Sequence, residues 1–231
     1  MNITPSSPAH IALPGRVGET VASELALALG NEKTKSLRHT ESPSSAQIVA
    51  GSMEHHPFAD ELVAEGLVDL HNVPASHDAF EVLTYRNRLI LIGNTPRGTL
   101  QAVYELADML DSEETIADDL HLRRTTRFET RFYHPRFDYW PGTRADVRYI
   151  SRIGASHCLH THDWQGERRR FSGYVESSVF RDASDPDTIE SGRTGLRRLI
   201  DDNLDYGLET AMWITELPCQ GGGWVPEAER Q

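Results

Sequence analysis

The strongest chemical signal in the chain is the run HCLHTHDWQGERRR, where His160, His162, Asp163 and Trp164 fall within five residues. Two imidazoles separated by one residue share a side of a strand, a spacing that hydrolytic metal sites use. A metal there would need further ligands from other strands, and His134 and Glu216 are the candidates. The competing reading is of polar residues at a strand end that bind no metal. An aromatic ring beside a carboxylate also suits a sugar, whose C–H faces pack on the ring while its hydroxyls bond to the acid. Arg131 could offer a planar fork of donors to vicinal hydroxyls or to a carboxylate, or simply make a surface ion pair. Glu216 is a second carboxylate expected to point inward at a strand end. The triplet Arg168-Arg169-Arg170 reads as a solvated loop face. Gly221 to Gly223 precede neither a helix nor a Lys-Ser/Thr pair, which excludes a P-loop.

Such residues act only if strands aim them, and the pattern from Arg131 onward alternates strand and helix. Arg131 to Tyr133 starts this pattern as a first strand, and Arg131 is expected to sit at that strand's end. A helix then follows, with Thr143 as cap, Asp146 three residues on, and Val147, Ile150 and Ile153 along one face before Gly154. Ala155 to His162 is the second strand, and a polar loop runs to about Arg193. Leu196, Leu199, Ile200 and Leu204 mark another helix that Gly207 closes, and Glu209 to Thr215 is the third strand. Strands alternating with helices imply parallel βα units, as in an open α/β sheet or a (β/α)8 barrel. Catalytic groups of a barrel sit at the carboxyl ends of its strands.

The amino-terminal half has a different order. His10 to Leu13 reads as a strand, Val17, Val21, Leu25 and Ala28 recur at helical spacing to Gly30, and Asn31 to Ala46 is a polar loop. Gln47 to Gly51 is a short strand, and Pro57 opens a brief helix with Phe58, Leu62 and Val63 that stops at Gly66. Phe80 to Leu83 alternates as a half-buried strand should, and Leu89 to Ile92 is a fully apolar run. Arg86-Asn87 is the expected tight turn between them. Thr95 as N-cap and Pro96 at the first helical position then open a helix carrying Leu100, Val103, Tyr104, Leu106 and Leu110. The order β-α-β-α-β-β-α gives a mixed sheet with helices packed on it. Asp111 to Asp119 is a charge run that reads as a solvated linker.

At 231 residues the chain holds one large or two small domains, and its 38% apolar and 25% charged content fits a soluble globular protein. No apolar run approaches the ~20 residues of a membrane span, and the amino terminus lacks the basic start and apolar core of a signal peptide, so a cytoplasmic location is expected. Cys158 and Cys219 lie far apart and read as thiols, not as a disulfide framework. A net charge of −12 disfavours nucleic acid and anionic membranes as partners. The expected partner is a carbohydrate substrate, and no cofactor is expected.

Three segments resemble the β-N-acetylhexosaminidase-like glycoside hydrolases, which carry an accessory α/β domain before a (β/α)8 barrel. RFETRF is similar to that family's first barrel strand, "PRFpyRG", and the match puts Arg131 at the arginine that binds sugar hydroxyls, with Phe132 in place of the usual glycine. HTHDWQGER resembles "HLTDDQGWR", matching at His160, Asp163, Gln165, Gly166 and Arg168. Asp163 thereby takes the place of an aspartate that supports the catalytic acid through a histidine. ITELPCQGG is similar to "iPEiDmPGH", with Glu216 at the glutamate, Gly221 at the glycine and Gly222 where that histidine is expected. Upstream, Gly98 and Leu106 fit the "G-x-x-x-g-x-x-x-L" helix that closes the accessory domain, a fold that also precedes the barrel of α-glucuronidases.

The resemblance implies a small mixed-sheet α+β accessory domain over 1–112, a linker over 113–124, and an incomplete (β/α)8 barrel of about three βα units over 125–231. That last region is short of the ~250 residues of a whole barrel. The family's catalytic Asp-Glu pair belongs to the fourth strand, with the glutamate as general acid and the aspartate orienting the acetamido group. The implied function is therefore the amino-terminal portion of a glycoside hydrolase, truncated before its catalytic pair and inactive alone. The resemblance assigns no catalytic residue within the chain, and His162, Asp163, Trp164, Arg131 and Glu216 are its candidate sugar-binding residues. An α-glucuronidase-like fragment and a non-catalytic carbohydrate-binding module are the alternatives.

Overall fold

The run Leu89 to Ile92 is fully buried because two layers of side chains need it, one on each face of the sheet. A computed structural model of the chain describes residues 3–30, 37–112, 116–133, 147–161, 194, 197–198 and 200–213. It divides into unit 1, Met1–Arg131 with Ser151–Gly154 and Asp205–Gly207, and unit 2, Phe132–Ile150, Ala155–Leu204 and Leu208–Gln231.

Unit 1 contains strands β1 (Pro8–Ala12), β2 (Arg38–His39), β3 (Ile48–Ser52), β4 (Ala79–Tyr85), β5 (Arg88–Gly93) and β6 (His121–Thr125). They form one sheet in the order β2-β1-β3-β5-β4-β6. β1, β2, β3 and β5 run parallel, and β4 pairs antiparallel with both β5 and β6. Helices α1 (Gly15–Ala28) and α3 (Pro96–Asp111) put Val21, Leu25, Leu100, Val103 and Leu106 against Phe80, Val82, Leu89 and Leu91. Helix α2 (Ala59–Ala64) and the segment after it bring Leu62, Val68 and Leu70 against Leu83, Tyr85, Ile90 and Ile92. Alternate residues of β5 thus serve opposite clusters, as the two-residue period of a strand dictates.

That second layer changes the reading of β4, which is buried nearly throughout and not on one face only. Even Glu81 is 1% exposed, and it accepts from the Asp69 amide at 3.1 Å and lies 2.7 Å from His121 Nε2. The turn between β4 and β5 is as expected: Arg86 and Asn87 have φ of 48° and 60°, the pair of positive values of a type I′ hairpin. Thr95 caps α3 by accepting from the Gly98 amide at 3.1 Å, with Pro96 next.

Two strands fall where loop or linker was expected. β2 lies within the polar stretch 31–46, and β6 lies within 113–124 and one residue beyond. β6 reads HLRRT and is an edge strand with only Leu122 partly buried, so it has no apolar alternation to signal it. Its charges face water, where they discourage pairing with another chain. Unit 1 accordingly runs on to Arg131.

Unit 2 contains a second sheet in the order β7 (Phe132–Tyr133), β8 (His157–Thr161), β9 (Glu209–Trp213), with both pairings parallel. Parallel neighbours require crossovers. Helix α4 (Val147–Arg152) lies between β7 and β8 in the chain, and residues 200–205 are helical between β8 and β9. Ile150 on α4 is buried, whereas Ile153, expected on the same face, is 50% exposed because the helix has already ended and Gly154 turns the chain at φ +81°. Thr143, Asp146, Leu196 and Leu199 lie outside the described residues. Among the described residues, no helix is long and apolar enough to cross a membrane.

Candidate functional site

Strands β8 and β9 end level with each other, Thr161 opposite Trp213, after His160 opposite Met212. The chain therefore leaves both strands from the same edge of the sheet, the carboxyl edge, where parallel α/β sheets place their ligands. His162, Asp163 and Trp164 follow Thr161 directly, and Glu216 comes three residues after Trp213. Those four, with His134, Gln165, Gly166, Arg168, Gly221 and Gly222, lie outside the described residues. The register of two strands is thus what the structure gives for this edge.

The amino edge of the same sheet holds a cluster that no sequence spacing announced. Phe132, His157 and Glu209 occupy one register level across the three strands. The Phe132 and His157 rings are 4.9 Å apart, His157 Nε2 lies 3.1 Å from Glu209 Oε2, and Ser156 Oγ lies 2.7 Å from His157 Nδ1. With Nε2–H donating to Glu209, the Ser156 hydroxyl donates to Nδ1. Serine, histidine and carboxylate are the members of a nucleophilic relay. Here the serine is 1% exposed, so no substrate reaches its hydroxyl, and the arrangement ties strand starts together. Only the pairing of strands distant in sequence creates it, and for that reason a motif search misses it.

Arg131 is part of neither edge. Strand pairing begins at Phe132, so Arg131 precedes β7 and does not end it, which corrects its expected place at the strand terminus. Its guanidinium makes an ion pair with Asp78 Oδ2, and it donates to Gly154 O at 2.6 Å and Thr126 Oγ1 at 3.2 Å. Asp78 is 2% exposed, and its other oxygen accepts from Arg97 Nε at 2.7 Å. Burial lowers the affinity of Arg131 for its proton, Asp78 opposes that, and neighbouring Arg97 adds to it. The arginine stays cationic regardless.

Other buried polar groups in unit 1 are structural in their contacts. His56 Nδ1 accepts from the Phe58 amide at 3.2 Å, and burial holds this imidazole neutral by lowering its pKa to about 4. The Tyr85 hydroxyl donates to Glu65 Oε1 at 2.8 Å, and burial together with that carboxylate pushes the phenol up to about 12. Among the described residues no three His, Cys, Asp or Glu side chains gather in a way that could hold a metal ion. The His160-x-His162 metal reading falls partly on residues outside that set.

A mixed six-stranded sheet with helices on both faces, followed in the chain by parallel strands joined through helices, is a glycoside hydrolase-like fold. The chain is similar to a GH138 enzyme targeting pectin rhamnogalacturonan II, at 13% identity and a TM-score of 0.59 over 89% of this chain and 24% of that one. It is also similar to a GH115 4-O-methyl-α-glucuronidase with specificity for decorated arabinogalactans, at 12% identity and a TM-score of 0.52 over 87% of this chain and 28% of that one. A third similar structure is CpGH84B, at 12% identity and a TM-score of 0.52 over 92% of this chain and 34% of that one. The chain spans about a quarter to a third of the length of the structures it matches. No protein-family model and no curated protein matches it.

Proposed function

We propose that the chain forms the amino-terminal portion of a glycoside hydrolase: an accessory α/β domain and the first three βα units of a (β/α)8 barrel, serving sugars that contain N-acetylhexosamine or a related group. The observation that carries this reading is the chain order, a mixed six-stranded sheet and then parallel β7-β8-β9, in similarity to a glycoside hydrolase over 89% of the chain. The proposed sugar-binding groups are His162, Asp163 and Trp164 after β8 and Glu216 after β9, because both strands deliver the chain to one edge. The reading leaves Arg131 out of the site, since it lies before β7 with donors turned to Asp78 and to main-chain oxygens.

Hydrolysis of an N-acetylhexosaminide in the way the resemblance implies needs an adjacent Asp-Glu pair at the site, the glutamate as general acid and the aspartate orienting the acetamido group. The one adjacent Asp-Glu pair in the chain, Asp60-Glu61, sits in the first turn of α2, where Glu61 is held by Arg86 at 2.6 Å. The purified chain should therefore not hydrolyse nitrophenyl N-acetyl-β-glucosaminide, and clear turnover would overturn the inactive-portion reading. A second reading, an α-glucuronidase-like portion, is favoured by the similarity to the GH115 4-O-methyl-α-glucuronidase. Titrating the chain with N-acetylglucosamine and with glucuronate, observed by NMR, separates the two. Preference for glucuronate would replace the first reading with the second.

A further inference from the structure

We propose that Asp78 is a keystone: one buried carboxylate of unit 1 fixes the three points from which the chain sets out into β7, β8 and β9. Arg131, paired directly with Asp78, is the residue immediately before β7. The same arginine donates through Nε to Gly154 O at 2.6 Å, and Gly154 stands three residues ahead of β8. Arg97, on the other carboxylate oxygen, donates through Nη1 to Gly207 O at 3.3 Å, and Gly207 stands two residues ahead of β9. Asp78, Arg97, Arg131, Gly154 and Gly207 all belong to unit 1.

The chemistry of the groups supports this role over that of an incidental ion pair. Gly154 and Gly207 have φ of +81° and +66°, the left-handed turns that end helices and set the direction of the next segment. A carbonyl held at such a turn fixes the course of the chain beyond it. Each guanidinium has donors in a rigid fork, so it can hold a carboxylate and a carbonyl at once, which a lysine ammonium does with far less geometric definition. Asp78 is itself anchored on both sides of its backbone: its amide donates to Thr126 Oγ1 at 3.0 Å, and its carbonyl accepts from the Thr126 amide at 2.8 Å. One carboxylate faces two cations, and the surplus donors are satisfied by main-chain oxygens of Phe128, Glu129, Gly154 and Gly207. Removing the carboxylate leaves two largely buried guanidiniums without their shared counter-charge, and that loss is expressed at the turns.

Hydrogen–deuterium exchange of the full chain, read peptide by peptide, tests the proposal. Asp78→Asn should speed exchange of β8 and β9 by roughly tenfold or more and leave β5 and α3 within about twofold of the parent. The two arginine variants should divide the effect: Arg131→Lys loosens β7 and β8, and Arg97→Lys loosens β9. Unchanged β8 and β9 in a folded Asp78→Asn protein, or acceleration of β5 to the same degree, overturns the keystone. If Asp78→Asn does not accumulate as folded protein, the lysine variants decide. Identical exchange patterns in those two variants, or parental exchange in both, would equally overturn it.

Discussion

In the six-stranded sheet, β5 is buried on both faces by two apolar clusters whose described members all belong to unit 1. In the three-stranded sheet, by contrast, the described residues at the strand starts are tied by polar contacts, His157 to Glu209 and to Ser156, while Phe132 stays 57% exposed. One region is specified by apolar periodicity, which acts locally and can be read from the chain. In the other, the described ties join residues up to seventy-seven positions apart, Phe132 level with Glu209 through His157. Unit 1 thus carries its own folding determinants, and three measurements test that.

The largest effect should come at the corner between β5 and α3. A Cβ on Gly93 would lie 2.1 Å from the Thr99 amide nitrogen, 2.4 Å from Gly98 C and 2.7 Å from Thr95 O, all of them main chain. Gly98 is equally closed in, at 2.6 Å from Ala79 O. Main-chain atoms of a helix start cannot move aside without dismantling the cap, so Gly93→Val should cost more than about 4 kcal/mol, in the exceptional range for one substitution. Loss of the cooperative thermal transition by circular dichroism is the expected result. A Gly93→Val protein melting within a few degrees of the parent would show that this corner is not what holds unit 1 together.

That corner also marks how far the sequence could be read. Leu89 to Ile92, the Arg86-Asn87 turn and the Thr95-Pro96 helix start are local signals, and each appears in the structure where it was expected. β6 was not legible because an edge strand of HLRRT buries almost nothing, and β2 was not because two residues carry no period. Nothing in the local sequence singles out Glu81 or Asp78, since burial of a charge depends on partners such as His121, Arg97 and Arg131 that lie up to 53 positions away. Arg131 falls just before β7 and not at its end, because strand pairing starts at Phe132 and nothing in the local sequence marks that start. For the carboxyl edge the sequence supplied names, and the structure supplies the level ending of β8 and β9.

Acid should weaken unit 1 through a single histidine, sharpening the contrast further. Burial lowers the pKa of His56 to about 4, with nearby His10 adding to the effect and the Val49 carbonyl opposing it. In the unfolded chain the same imidazole takes up a proton below about 6.5. Between those values the unfolded state binds more protons, so stability falls as pH is lowered from about 6.5 towards 4, and below 4 this contribution is gone. The full difference amounts to about 3 kcal/mol. Urea denaturation at pH 7 and pH 5 should show about half of it in the parent and much less in His56→Gln, and equal pH dependence in the two proteins would assign the acid effect elsewhere.

The smallest effect tests whether α3 begins where it does because of its cap or because the core holds it. Thr95 satisfies the Gly98 amide through Oγ1 at 3.1 Å, and its carbonyl accepts from the Thr99 amide at 3.0 Å and the Thr99 hydroxyl at 3.2 Å. Thr95→Ala removes only the side-chain bond and should cost about 1 kcal/mol, whereas Thr95→Ser keeps the acceptor and should cost a few tenths. The separation between the two variants is the informative quantity, since loss of packing alone would affect both alike when the γ-methyl is removed. Equal destabilisation of Ala and Ser in urea would mean that apolar contact, and not the cap, fixes the start of α3. Unit 1 would then owe even this local boundary to its two-sided core.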